Sequence, residues 1–195
     1  MKKSILLCTM LFLTLQSFSQ QIDTTALIII DIQNFYFPGG AVELSEPEMA
    51  AEKAKQLLIY FRENNGLVVH VRHNFDPGGE IHDLVKPVEG EKIFSKSEVN
   101  AFLNTGLNEY LQRNNIKNVV LCGMQTHMCL EAGTRAARDL GYNCVVVEDA
   151  CTTRDLKYND VVVKATDVHY STLVTLKSYG NVVTLQEFWE RQNKQ

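Results

Sequence analysis

The sequence predicts an α/β fold: a doubly wound three-layer sandwich around a mainly parallel sheet, with strand order 3-2-1-4-5-6. Three observations predict it. Short apolar runs recur without polar alternation, the mark of strands buried on both faces. Segments with helical spacing of apolar residues lie between them, so each strand has a crossover that lets the next one run parallel. A chain of 195 residues, 45% hydrophobic and 22% charged, has room for one sizeable core and no need of a second domain.

Residues 26–30 (ALIII) form the first run and end at Asp31. A helix follows over 47–64, where Ala50, Ala54, Leu57, Leu58 and Phe61 share a face and Gly66 falls at the C-cap. Residues 67–71 (LVVHV) are the second strand and 92–94 a short third. Helical spacing over 99–114 leads to the fourth strand, 118–122. The next helix covers 130–140, its first turn reaching back to Met128, and Gly141 caps it. Residues 144–147 (CVVV) are the fifth strand; a helix over 168–178, a strand over 182–185 and a helix from Gln186 complete the chain. In such sheets ligands bind beyond the carboxyl ends of the strands, where strand order reverses. Here that point lies between the first strand and the fourth.

Residues 1–19 read as a signal peptide and 20–195 as the folded domain. Lys2 and Lys3 precede an apolar run over 5–15 and a small-residue site at Ser17-Phe18-Ser19, and the run is too short to span a bilayer. The mature chain is expected to begin at Gln20 or Gln21, secreted or periplasmic, with no stable membrane association after cleavage. Leu6 and Leu7 stand where a lipoprotein site at Cys8 needs small residues. A net charge of -4 gives no electrostatic reason to expect nucleic acid as a partner, so a small molecule is the expected ligand. Export leaves Cys122, Cys129, Cys144 and Cys151, too dispersed for a disulfide framework, although a Cys122–Cys151 bridge stays open.

The chemistry centres on Cys129, which closes the run Gly123-Met124-Gln125-Thr126-His127-Met128-Cys129 between the fourth strand and a helix. A thiol in the first turn of a helix faces unpaired N–H groups and the positive end of the helix dipole, which favour the thiolate. Asp31 ends the first strand and Lys96 follows the third, so acid, lysine and thiol meet at one edge of the sheet. Asp31 is the expected general base; Lys96 holds the carboxylate and stabilises the thiolate. Each alone has a plainer explanation, as a turn cap, a solvated cation or a buried thiol. Their agreement on one edge is what carries the reading.

These residues resemble the isochorismatase-like cysteine hydrolases, the superfamily that includes nicotinamidases and N-carbamoylsarcosine amidases. The resemblance rests on Asp31-Ile32-Gln33-Asn34-Phe35, Lys96 with Ala101-Phe102, the run ending at Cys129, Arg135 through Tyr142, Glu148-Asp149-Ala150 and Asp167-Val168-His169. It implies a triad of Asp31, Lys96 and Cys129, a thioester intermediate and a cis Met124–Gln125 peptide. It also implies an oxyanion hole from the amides of Gln125 and Cys129, where one donor is worth about 3 kcal/mol in the transition state. Retention of the cysteine implies acyl chemistry on an amide-type C–N bond; ureido and vinyl ether cleavage are rival chemistries on the same scaffold. Relatives are commonly dimers or larger, so a homo-oligomer is expected.

Where nicotinamidases carry Asp-x-His and a further histidine for a metal, this chain reads His70-Val71-Arg72-His73-Asn74, with His82 beyond it. The acid is missing, and His70 and His73 point to opposite faces of a strand, so neither a metal nor another cofactor is expected. Candidate substrate contacts are Gln33, Phe37, Phe102 and His127, with Phe35 and Tyr36 extending an aromatic wall. Arg72 is the one cation placed to meet an anionic substrate, or it pairs with a surface acid. His169 opens an amphipathic helix and reads as structural. A non-catalytic binding protein is disfavoured by the intact triad, and a thiol redox protein by the lack of a Cys-x-x-Cys or of a nearby resolving cysteine.

Overall fold

In the computed structural model, which describes residues 22–192, eight strands form. They are β1 (Thr25–Ile30), β2 (Leu67–His73), β3 (Lys92–Lys96), β4 (Asn118–Met124), β5 (Asn143–Thr152), β6 (Leu156–Tyr158), β7 (Val161–Val163) and β8 (Asn181–Val183). Six make one sheet of order β3-β2-β1-β4-β5-β8, parallel throughout. This is the expected topology; the sixth sheet strand is β8 because the β6–β7 hairpin intervenes. The expected leader and the cleavage site lie outside the described residues. Among the described residues no helix is long and apolar enough to cross a membrane.

Among the described residues five α-helices flank the sheet: α1 (Pro47–Glu63), α2 (Leu107–Arg113), α3 (Glu131–Asp139), α4 (Ala165–Leu176) and α5 (Leu185–Gln192). The chain moves from β1 outward to β2 through α1, and from β4 outward in the opposite direction to β5 through α3. Right-handed crossovers therefore put α1 and α3 on opposite faces. α1 starts on Pro47, whose missing N–H costs nothing in a first turn, and buries Leu57, Leu58 and Phe61 completely against the sheet. Each such side chain contributes roughly 1.5–3 kcal/mol. Phe188 and Trp189 of α5 pack edge-on against Tyr60 of α1, which places α5 on the same face.

The structure departs from expectation in three places, and it closes one question that the sequence left open. The helix expected from residue 99 begins at Leu107, because Asn104 and Gly106 adopt positive φ and break the first half into turns. Gly141 takes the left-handed position after α3, as expected, but after α1 that position belongs to Asn65; Gly66 is small because a Cβ would strike the Phe61 ring. The β6–β7 hairpin was not foreseen, since three-residue strands around Asn159-Asp160 carry too little pattern to register. Cys122, Cys129, Cys144 and Cys151 are all buried and free, so the Cys122–Cys151 bridge is absent.

A charged cluster anchors β3, the strand that carries Lys96. Glu91, just before it, accepts Nε and Nη2 of Arg62 from α1 at 2.7 and 2.8 Å, the Val88 amide at 3.0 Å and Nε2 of His70 from β2 at 2.9 Å. Burial alone would raise the Glu91 carboxyl; these partners instead bring it to about 2 from its ordinary 4.5. A depressed carboxylate stabilises the fold above its unfolded pKa and loses that contribution as pH falls towards its folded one. Glu91→Gln is therefore expected to be less stable near neutrality and to lose less stability than wild type between pH 4.5 and about 2. Urea unfolding across that range checks it.

Candidate active site

Asp31, Lys96 and Cys129 come from three elements and meet at the carboxyl edge of the sheet. Asp31 follows β1 with a φ of 51°, its amide tied to the Val71 carbonyl at 2.9 Å. Lys96 is the last residue of β3. Cys129 lies in a π-helical turn, Thr126–Leu130, that joins β4 to α3 and in which the Leu130 amide reaches back to the Gln125 carbonyl at 3.3 Å. The approach of β4 to β1 needs Gly123, whose φ is 127° and whose Cβ would overlap the Ile30 carbonyl. The Met124–Gln125 peptide is cis, as the resemblance implied.

The lysine ammonium is the hub. Nζ of Lys96 donates to Oδ2 of Asp31 at 2.7 Å and to Sγ of Cys129 at 3.3 Å. Asp31, Lys96 and Cys129 are 0, 2 and 4% exposed, so water contributes little to these contacts. Oδ1 of Asp31 has no hydrogen-bond partner among the described residues and remains an acceptor for a proton. Burial raises the Asp31 carboxyl despite the Lys96 charge, which makes it a stronger base. The thiol departs from expectation: burial, then the Asp31 charge, push Cys129 up to about 12, and Lys96 offsets this only in part. The turn that leads into α3 therefore does not offset the cost of burying a thiolate.

The expected substrate contacts divide. Phe37 is buried and stacks on His82, ring centroids 3.6 Å apart, while Phe35 packs on Tyr36 and Phe75. Nδ1 of His127 is held by the Thr153 hydroxyl at 2.6 Å. Gln33 is fully buried as a brace: its Nε2 donates to the His73 and Gly79 carbonyls at 2.9 and 2.6 Å, and its Oε1 accepts from the His73 amide at 2.7 Å. Both its donor hydrogens are used, so the geometry assigns it to the loop rather than to substrate. Phe102 turns away towards Tyr142, on which it stacks at the amino edge of β5. His169 is structural, its Nδ1 paired with the Thr126 hydroxyl at 2.9 Å.

The family model for the isochorismatase domain matches residues 25–186. The chain belongs to the isochorismatase family. It is 45% identical over 177 residues to the isochorismatase-family protein YddQ of Bacillus subtilis (strain 168), across 85% of this chain and 98% of that one. Maleamate amidohydrolase of Pseudomonas putida is 29% identical over 188 residues, covering 83% of this chain and 84% of the relative. A solved isochorismatase-type hydrolase from Oleispira antarctica superposes with a TM-score of 0.82 at 42% identity, over 85% of this chain and 96% of that one. This is an isochorismatase-family hydrolase with an amidohydrolase among its relatives.

Two contacts of this isochorismatase-family site were not foreseen. Nδ1 of His73 lies 3.2 Å from Nζ of Lys96, a contact set by the β2–β3 register that pairs the two residues. Arg154 follows β5, and its Nε donates to Oε1 of Gln125 at 3.2 Å. Its two terminal nitrogens bond no other described residue. Arg72, the cation expected at the site, alternates to the face of β2 opposite His73, and its Nε is buried without a partner among the described residues. Arg154 was hidden because β5 runs to Thr152, five residues past the expected strand. A charged residue just beyond an inner strand was the signal that would have found it.

Proposed function

We propose that this protein hydrolyses the amide C–N bond of a small molecule bearing a carboxylate or comparable anion, through a thioester on Cys129. The observation that carries the reading is the single buried ammonium of Lys96 touching both Oδ2 of Asp31 and Sγ of Cys129. Asp31 removes the thiol proton and the sulfur attacks the carbonyl carbon. The oxyanion is held by the amides of Gln125 and Cys129. The proton passes from Asp31 to the leaving nitrogen, the C–N bond breaks and ammonia or an amine departs. Water, deprotonated by Asp31, then cleaves the thioester and restores the thiol. A nucleophile only 4% exposed suits a small substrate over a polypeptide. The sequence of residues 1–19 supports export before the enzyme acts.

The anionic preference rests on Arg154. Its guanidinium is fixed at one end by Gln125, the residue that opens the catalytic turn, and is close enough to His127 and Tyr36 to influence their protonation. Two free N–H edges beside a partly apolar wall match a carboxylate. The name of the Pseudomonas putida relative, a maleamate amidohydrolase, points the same way, since maleamate pairs an amide with a carboxylate. The test is intact-mass spectrometry and product analysis with a panel of primary amides, with and without a carboxylate. Wild type is expected to form adduct or product with the carboxylate-bearing amides, and Arg154→Met to raise their KM about 10–100-fold while leaving neutral amides unchanged. Equal turnover of both classes by wild type sinks the anionic preference, and turnover by Cys129→Ala sinks the mechanism.

A further inference from the structure

We propose that His73 is a positioning residue for the nucleophile: its Nδ1 accepts the third hydrogen of the Lys96 ammonium and thereby holds Nζ between Asp31 and Cys129. The inference rests on the reading of Cys129 as nucleophile and adds a fourth member to the constellation. An ammonium has three hydrogens and no acceptor. Here the three partners are Oδ2 of Asp31 at 2.7 Å, Nδ1 of His73 at 3.2 Å and Sγ of Cys129 at 3.3 Å. With Lys96 2% exposed, solvent has little access to replace a missing partner. Without the imidazole the ammonium is free to swing towards Asp31, its closest partner, and away from the sulfur.

His73 is itself fixed. Gln33 clamps both of its main-chain groups, the amide at 2.7 Å and the carbonyl at 2.9 Å, and the Asn74 amide bonds the Lys96 carbonyl at 2.8 Å. The buried Gln33 thus acquires a purpose: it locks the end of β2 to that of β3. Since an ammonium only donates, Nδ1 must be the bare nitrogen, and the ring is the neutral Nε2–H tautomer. Burial, reinforced by the Lys96 charge, lowers the His73 pKa; the opposing influences are Asp31 across the site and Glu98 beyond β3. Protonating the ring would remove the acceptor and set an imidazolium against an ammonium.

The test needs no substrate. The rate of iodoacetamide modification at Cys129, followed by peptide mass spectrometry across pH, is compared in wild type, His73→Asn and His73→Phe, with urea unfolding as the check on folding. His73→Phe is expected to slow modification about tenfold at neutral pH, with its alkaline midpoint moved up. His73→Asn, whose Oδ1 accepts without titrating, should stay within about threefold of wild type and lack the acidic inflection expected of wild type. Nitrogen-15 shifts of the His73 ring in the wild type should report neutral Nε2–H at pH 7. Two folded variants that react as wild type does, or an Nδ1–H ring, overturn the inference while leaving Cys129 as nucleophile. A wild-type Cys129 inert at every pH overturns both readings.

Discussion

Cys129→Ala is expected to lose turnover by on the order of 10⁴-fold or more while unfolding in urea within about 1 kcal/mol of wild type. The asymmetry follows from what the thiol does in each state. In the resting protein Sγ contributes weak contacts, the 3.3 Å bond from Lys96 among them, and a small buried volume. Alanine keeps most of that volume, and the 2.7 Å Asp31–Lys96 pair survives. In the proposed reaction the sulfur is the atom that forms the new bond, and nothing in the alanine variant replaces it. Intact mass should show an acyl adduct on wild type alone, at Cys129. An alanine variant with even a tenth of wild-type turnover would mean that Asp31 activates water directly, and the thioester would have to be abandoned.

Lys96→Met is expected to be the most destabilising single change at the site, at about 3–5 kcal/mol near neutral pH. It leaves the Asp31 carboxylate buried with no cation, in side-chain surroundings 0% exposed for both partners. The variant should recover at low pH. Its Asp31 would hold a proton to a higher pH than the unfolded chain, whose carboxyl titrates near 3.8. The folded state then binds more protons, so stability falls as pH rises above that value. Neutralising both partners in Asp31→Asn/Lys96→Met removes the unpaired charge and should regain much of the loss without restoring activity. Urea midpoints for the two singles and the double give the coupling. Additive losses would mean that water reaches the pair, contrary to the burial.

Much of the fold was legible because it is written in local pattern. Unalternating runs such as Ala26-Leu27-Ile28-Ile29-Ile30 can be buried only on both faces, and that dictates a parallel sheet with helices on each side. The expected helix over 99–114 misled because apolar spacing continues through 97–106, while the positive φ at Asn104 and Gly106 is a conformational choice that spacing does not encode. β5 was drawn too short because polar Glu148 and Asp149 interrupt an apolar run that the sheet nevertheless extends to Thr152. That one boundary error concealed Arg154.

The meeting of Asp31, Lys96 and Cys129 was legible for a related reason: these residues lie at or just beyond strand ends on one edge of a parallel sheet, which brings an acid, a lysine and a thiol near one another. The protonation of Cys129 was not. A helix start argues for a thiolate, and only the observed burial beside Asp31 shows that desolvation outweighs it and keeps the thiol protonated. Nor was the division of labour among neighbours. Gln33 follows Asp31 by two residues and looks like a substrate contact, yet its donors are spent on His73 and Gly79. By itself the sequence determined the sheet order and the edge at which Asp31, Lys96 and Cys129 meet. Only the tertiary structure decided which histidine contacts the Lys96 ammonium, which arginine bonds Gln125 and which charges are buried. Those depend on strand register and on distances of 3 Å between residues dozens of positions apart, and local pattern carries no information at that scale.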